Sequence, residues 1–170
     1  LVERLGPLLA TVESRVGGEW IKVRAAFAAL ADGDGGRQVW KPYLGEGHAQ
    51  VAFDLEAAWL LRHGQVEAAR SILPKPVPGE SPERLLLRSA LARAQGDWEA
   101  HERLLRPLLA DPGRIGALAE LECAAGLLVR GRPSRALDRV EALRRRKIPP
   151  ALDGLATLLE AQARPLAERP

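Results

Sequence analysis

Three stretches of this chain read alike: LLRHGQVEAARSIL (60–73), LARAQGDWEAHERLLRPLL (91–109) and LLVRGRPSRALDRVEAL (127–143). Each carries apolar residues up to a glycine and resumes an apolar pattern after it. The glycines are Gly64, Gly96 and Gly131, 32 and 35 residues apart. A period of this length, with helical patterning on both sides of the glycine, marks repeated helical hairpins. One such hairpin cannot bury its apolar face alone and must stack on neighbours.

Helical periodicity extends outward from these units. Val2, Leu5, Leu8, Leu9, Val12 and Val16 follow the spacing of one helix face and predict a helix over 2–16, stopped by Gly17 and Gly18. A second is predicted over 19–31, with Trp20, Val23, Phe27 and Leu30 on one side, before a loop that reaches Gly47. Further helices are expected at 48–63, after Gly64 to Pro74, 85–95, 97–109, 115–130, 133–147 and from Pro150 onward. Ser81 is a favourable N-cap with Pro82 at the first helical position, and Asp97 caps the next helix. Asp111-Pro112-Gly113 is expected to end it. The four prolines of LPKPVPGESP (73–82) demand an extended connector, expected to be a loop inside one array because the glycine period continues across it.

Composition agrees with helix. Ala, Leu and Arg dominate, and β-branched and aromatic residues are scarce. The 170 residues, 46% apolar, suffice for a domain with a core. There are 21 Arg against 4 Lys, and neither Asn nor Met. The last absence fits a heat-adapted bacterial source or a GC-biased genome equally. A chain beginning at Leu1 is expected to be a fragment or a processed product. No signal peptide and no run of about 18 apolar residues is legible, so the cytoplasm is the expected location, with no membrane partner.

The three units resemble the tetratricopeptide repeat (TPR), a family of stacked helix-turn-helix units, over 48–148. The matching residues are the small side chains Ala57, Ser89 and Ala124 seven before each glycine, the turn glycines, and the alanines Ala69, Ala100 and Ala136 after them. Ala100 lies one residue nearer its glycine than the other two. GDWEA (96–100) and ADP (110–112) look most like the family. The resemblance implies a single all-α domain, a TPR-like array of antiparallel helical hairpins (an α-solenoid) with about nine or ten helices. Residues 1–47 would form an N-terminal helical cap and loop, 48–148 three hairpins, and 149–170 a C-terminal capping helix. It also implies a scaffold that binds a protein or peptide and has no catalysis of its own. Carried over by position, the groove candidates are Asp54, Arg62 and Arg93, with the apolar Leu121, Leu128 and Val129 in the third unit.

Candidate chemistry is sparse. ADGDGGR (31–37) has two aspartates spaced as in a calcium loop, but from Asp32 the fifth, sixth and twelfth positions hold Gly36, Arg37 and Tyr43, which fail the ligand pattern. No GK[ST] follows its glycines, so it is not a phosphate loop. His48, His63 and His101 have no metal spacing; the first two lie about 22 Å apart along one helix. Cys123 is alone and is read as a small buried residue. No metal and no cofactor is expected. Trp40 and Tyr43, beside Pro42, are a candidate contact surface.

The strongest electrostatic feature is 130–147. Arg130, Arg132, Arg135, Arg139, Arg144, Arg145, Arg146 and Lys147 stand against Asp138 and Glu141, a net +6 in a chain of +3. This reads either as a solvated helix face or as a basic patch for nucleic acid or another acidic partner; no aromatic residue lies in it to stack a base. A further alternative is the sensor or oligomerisation part of a larger bacterial transcriptional regulator.

Overall fold

The computed structural model describes residues 49–146, 148 and 150–168. All regular secondary structure among them is helical: α1 (Ala49–Arg62), α2 (Val66–Ile72), α3 (Pro82–Ala94), α4 (Trp98–Leu105), α5 (Arg114–Val129), α6 (Pro133–Arg145) and α7 (Pro150–Ala167). Each of the seven segments predicted between 48 and 170 overlaps one of these helices, with α3 starting at Pro82 rather than 85 and α5 at Arg114 rather than 115. The helices predicted at 2–16 and 19–31, the loop reaching Gly47 with Trp40 and Tyr43, His48 and Lys147 lie outside the described residues. The chain divides between Pro74 and Lys75 into two compact units.

In the first unit α1 and α2 form a hairpin. Leu60, Ala57, Ala69 and Leu73 are its buried apolar residues. Trp59 stacks on His63 with ring centroids 4.0 Å apart, and His63 Nδ1 donates to the Trp59 carbonyl at 2.8 Å.

In the second unit α3 packs on α4, α5 on α6, and α6 on α7, while α5 also touches α3, α4 and α7. That central place explains the sequence of α5, RIGALAELECAAGLLV, which is apolar around most of its circumference. Its two carboxylates are paired: Glu122 with Arg93 at 2.6 Å, and Glu120 with Arg139 at 2.5 Å. The main core gathers Ala117, Leu121, Ala124, Ala136, Val140, Leu143, Leu152, Ala156 and Ala163 from α5, α6 and α7.

The three turns are chemically alike. Gly64, Gly96 and Gly131 hold φ of 72°, 75° and 68°, a region that glycine enters without a Cβ penalty. Each glycine N–H donates three residues back, to Leu61, Arg93 and Leu128, at 3.1, 3.1 and 3.0 Å. The next N–H reaches five back, from Gln65 to Leu60, Asp97 to Ala92 and Arg132 to Leu127, at 2.8, 2.9 and 2.9 Å. This is the Schellman closure, which satisfies carbonyls that a helix end would otherwise leave unpaired. Seven residues before each glycine, Ala57, Ser89 and Ala124 are 0% exposed.

Two local readings change. The buried residue five past each glycine is Ala69, His101 and Ala136, so the second unit keeps the common register with a histidine, and Ala100 lies beside that position, half-buried. Secondly, α4 ends at Leu105 rather than 109, because Pro107 has no N–H to continue it. Asp111 does more than close this stretch. Its Oδ1 accepts from the Gly113 N–H at 2.7 Å and the Gly116 N–H at 3.5 Å, capping the following helix.

Candidate functional site

On α6, Arg135 and Arg139 lie on one face at helical i, i+4 spacing, with Arg132 one turn before Arg135. Ala136, Val140 and Leu143 turn the other face into the core. The basic face borders a cleft of about 340 Å³ between α4, α5 and α6. Arg106, just past the end of α4, and Arg130, at the end of α5, complete its guanidinium lining. Leu109, Leu127 and Gly126 supply the apolar part, and Glu102 the one carboxylate among the lining residues.

The lining arginines fall into two groups. Arg130 pairs with Glu102 at 2.7 Å and lies 5.4 Å over the Trp98 ring, while Arg139 pairs with Glu120. Arg106, Arg132 and Arg135 are exposed, and none has a carboxylate within ion-pair distance among the described residues. After Glu102 and Glu120 are set against Arg130 and Arg139, the cleft keeps three uncompensated positive charges.

His101 closes the inner wall. It is 3% exposed, and its Nδ1 lies 3.0 Å from the Ser89 carbonyl. A carbonyl only accepts, so Nδ1 carries the proton and Nε2 presents a lone pair in the neutral ring. That face packs on Gly126, and the ring meets Trp98 edge-on at 6.2 Å between centroids. Beside it, burial pushes the Cys123 thiol up to about 11, only partly offset by Arg139. The thiol is therefore protonated at neutral pH and is not a nucleophile there.

The rest of the basic segment points elsewhere. Arg144 is tied to α7, 2.8 Å from Glu160 and 3.7 Å from Asp153, and donates to Thr157 at 2.8 Å. Arg146 lies 3.9 Å from Glu120, and Arg145 is exposed outside the cleft. Arg164 also binds Glu160, whose carboxyl is held below its ordinary value chiefly by that hydrogen bond. The predicted patch 130–147 is thus divided: Arg130, Arg132, Arg135 and Arg139 line the cleft, and Arg144 packs on the last helix.

The predicted groove residues are also dispersed. Asp54 is half-buried and Arg62 exposed, both on α1 in the first unit. In the second, Arg93 spends its charge on Glu122, Leu121 is 5% exposed within the core, and Leu128 packs against that core. Val129, 61% exposed, faces solvent. Sequence reasoning had no signal for Arg106, which joins the basic cleft only through folding. Among the described residues, no group of three or more His, Cys, Asp or Glu side chains is placed to hold a metal, and no helix is long and apolar enough to cross a membrane.

No family model matches the chain, and neither a curated protein nor a solved structure matches it significantly.

Proposed function

We propose that this chain is a TPR-like helical-repeat module that holds a segment of another protein and carries out no chemistry of its own. The observation that carries this reading is the common frame of the three hairpins. Each has a fully buried small residue, a left-handed glycine seven positions on, and the same two closing hydrogen bonds. In the second unit the last hairpin shares a core with α7, and the hairpin before it packs on α5 around Leu105, Leu108 and Ala119, so each hairpin buries its apolar face against a neighbour. Repetition of this kind makes extended surface rather than a single deep site, and extended surface suits a polypeptide ligand.

A peptide library displayed on phage and panned against residues 1–170 at moderate salt tests the reading. Enrichment of a shared motif whose synthetic peptide binds saturably supports it. If repeated panning enriches nothing, the module is not a peptide-binding scaffold.

A further inference from the structure

We infer that the cleft between α4, α5 and α6 is a binding site for a small phosphate-bearing polyanion, recognised by Arg106, Arg132 and Arg135. The inference is independent of the repeat family and of any polypeptide partner.

This unit treats its arginines in two ways. Arg88 is met by Glu80, Arg93 by Glu122, Arg144 by Glu160 and Arg164 by Glu160. Arg106, Arg132 and Arg135 come from two separate stretches of chain, converge on one cleft and meet no carboxylate. Like charges gathered against low-dielectric walls repel one another and focus positive potential into the space between them. An anion in that space removes the repulsion.

The donor chemistry suits the same ligand. All the cationic groups are guanidinium forks, which match the paired oxygens of phosphate and keep their charge at any physiological pH. Arg130 and Arg139, fixed by Glu102 and Glu120, form the walls and leave the other three to a ligand. The N-terminus of α6, which lacks a side-chain cap, borders the same cleft through Arg132 and Arg135 and adds its positive end to the field.

The size of the cleft limits the ligand. A space of about 340 Å³ lies at the small end of ligand pockets. It suits a di- or triphosphate better than a folded acidic surface. Trp98 is covered by Arg130 and His101 and offers no open face for a stacked base, which disfavours a single-stranded nucleic acid.

Isothermal titration of the chain with inorganic tripolyphosphate, ATP, a polyglutamate peptide and an RNA oligonucleotide tests this. Two variants are compared. Arg132→Glu with Arg135→Glu alters the cleft; these sites are the N-cap and third position of α6, where acidic residues suit the helix dipole, so folding is retained. Arg114→Glu with Arg145→Glu makes the same change in net charge outside the cleft. The expected result is saturable, one-to-one binding of tripolyphosphate, weakened at least about tenfold in the cleft variant and less than about twofold in the control. Equal affinity for ATP and tripolyphosphate identifies the phosphate chain as the ligand, and tighter ATP binding identifies a nucleotide; both support the site. The inference is overturned by absence of saturable phosphate binding, by equal loss in both variants, or by tighter binding of polyglutamate or RNA than of either phosphate.

Discussion

Gly126→Ala is the sharpest test of how the hairpins of the second unit fit together. A Cβ on Gly126 falls 2.6 Å from His101 Nε2, and 3.3 and 3.4 Å from Cδ2 and Cε1 of the same ring. Favourable contacts between such atoms lie at about 3.5–4.0 Å. The ring has little freedom to yield, since the Ser89 carbonyl holds Nδ1 at 3.0 Å and Trp98 covers its edge. Helix propensity alone favours Ala over Gly by about 1 kcal/mol. Overpacking a filled core costs about 1–3 kcal/mol. The clash wins, and Gly126→Ala is expected to destabilise the chain by up to about 2 kcal/mol. In a His101→Ala background the added methyl meets no ring, and the same change becomes stabilising by the propensity difference. The coupling between the two sites is then about 1–3 kcal/mol. Urea unfolding followed by far-ultraviolet circular dichroism on the four proteins of the cycle gives the number, provided the m-values agree. If Gly126→Ala raises stability in the wild-type background, or the two changes simply add, His101 does not occupy the space that Gly126 leaves.

Gly116→Ala is expected to be worse, since its Cβ falls 1.9 Å from the Asp111 carbonyl oxygen, a backbone atom that cannot swing aside; a loss of about 3 kcal/mol or more in the same urea assay checks it. Glu80→Gln breaks a pair in which Arg88 donates twice, at 2.6 and 2.5 Å, with the two side chains 3% and 10% exposed, and should cost about 3 kcal/mol. Hydrogen bonding to Arg88 holds the Glu80 carboxyl below 4.5, so its contribution is complete above that pH and is lost as pH falls through the lower folded-state value; stability measured against pH should show this acid-side component in the wild type and lack it in Glu80→Gln. For Cys123, the raised pKa of about 11 predicts slow alkylation at pH 7 that accelerates as pH approaches 11. The same shift means that its contribution to stability is intact below 9.0 and declines as pH rises from there through 11, a loss absent in Cys123→Ala.

Within the described residues, the glycine period, the helix positions and the caps were legible in the sequence because they rest on local chemistry. A Schellman turn needs a glycine at its left-handed position, Ser81 accepts from the Arg84 N–H at 3.3 Å as an N-cap should, and Asp97 accepts from Ala100 at 3.0 Å. The choice of Ala100 over His101 at the second hairpin failed for a tertiary reason. A histidine fits there only because Gly126, on another helix, leaves room for it. The arginine-rich segment was legible as a charge excess but not as a site. Which of its members stay unpaired depends on Glu120, Asp153 and Glu160, carried by α5 and α7, and no spacing rule within 130–147 reveals those partners.

The central claim is that these hairpins hold another protein. The most direct measurement is affinity capture from the source lysate with residues 1–170 as bait, at low and at moderate salt, with protein and nucleic acid quantified in each eluate. The account predicts a discrete protein retained at moderate salt, where loosely held polyanions have been released. Nucleic acid retained only at low salt, with no protein at either, would contradict it.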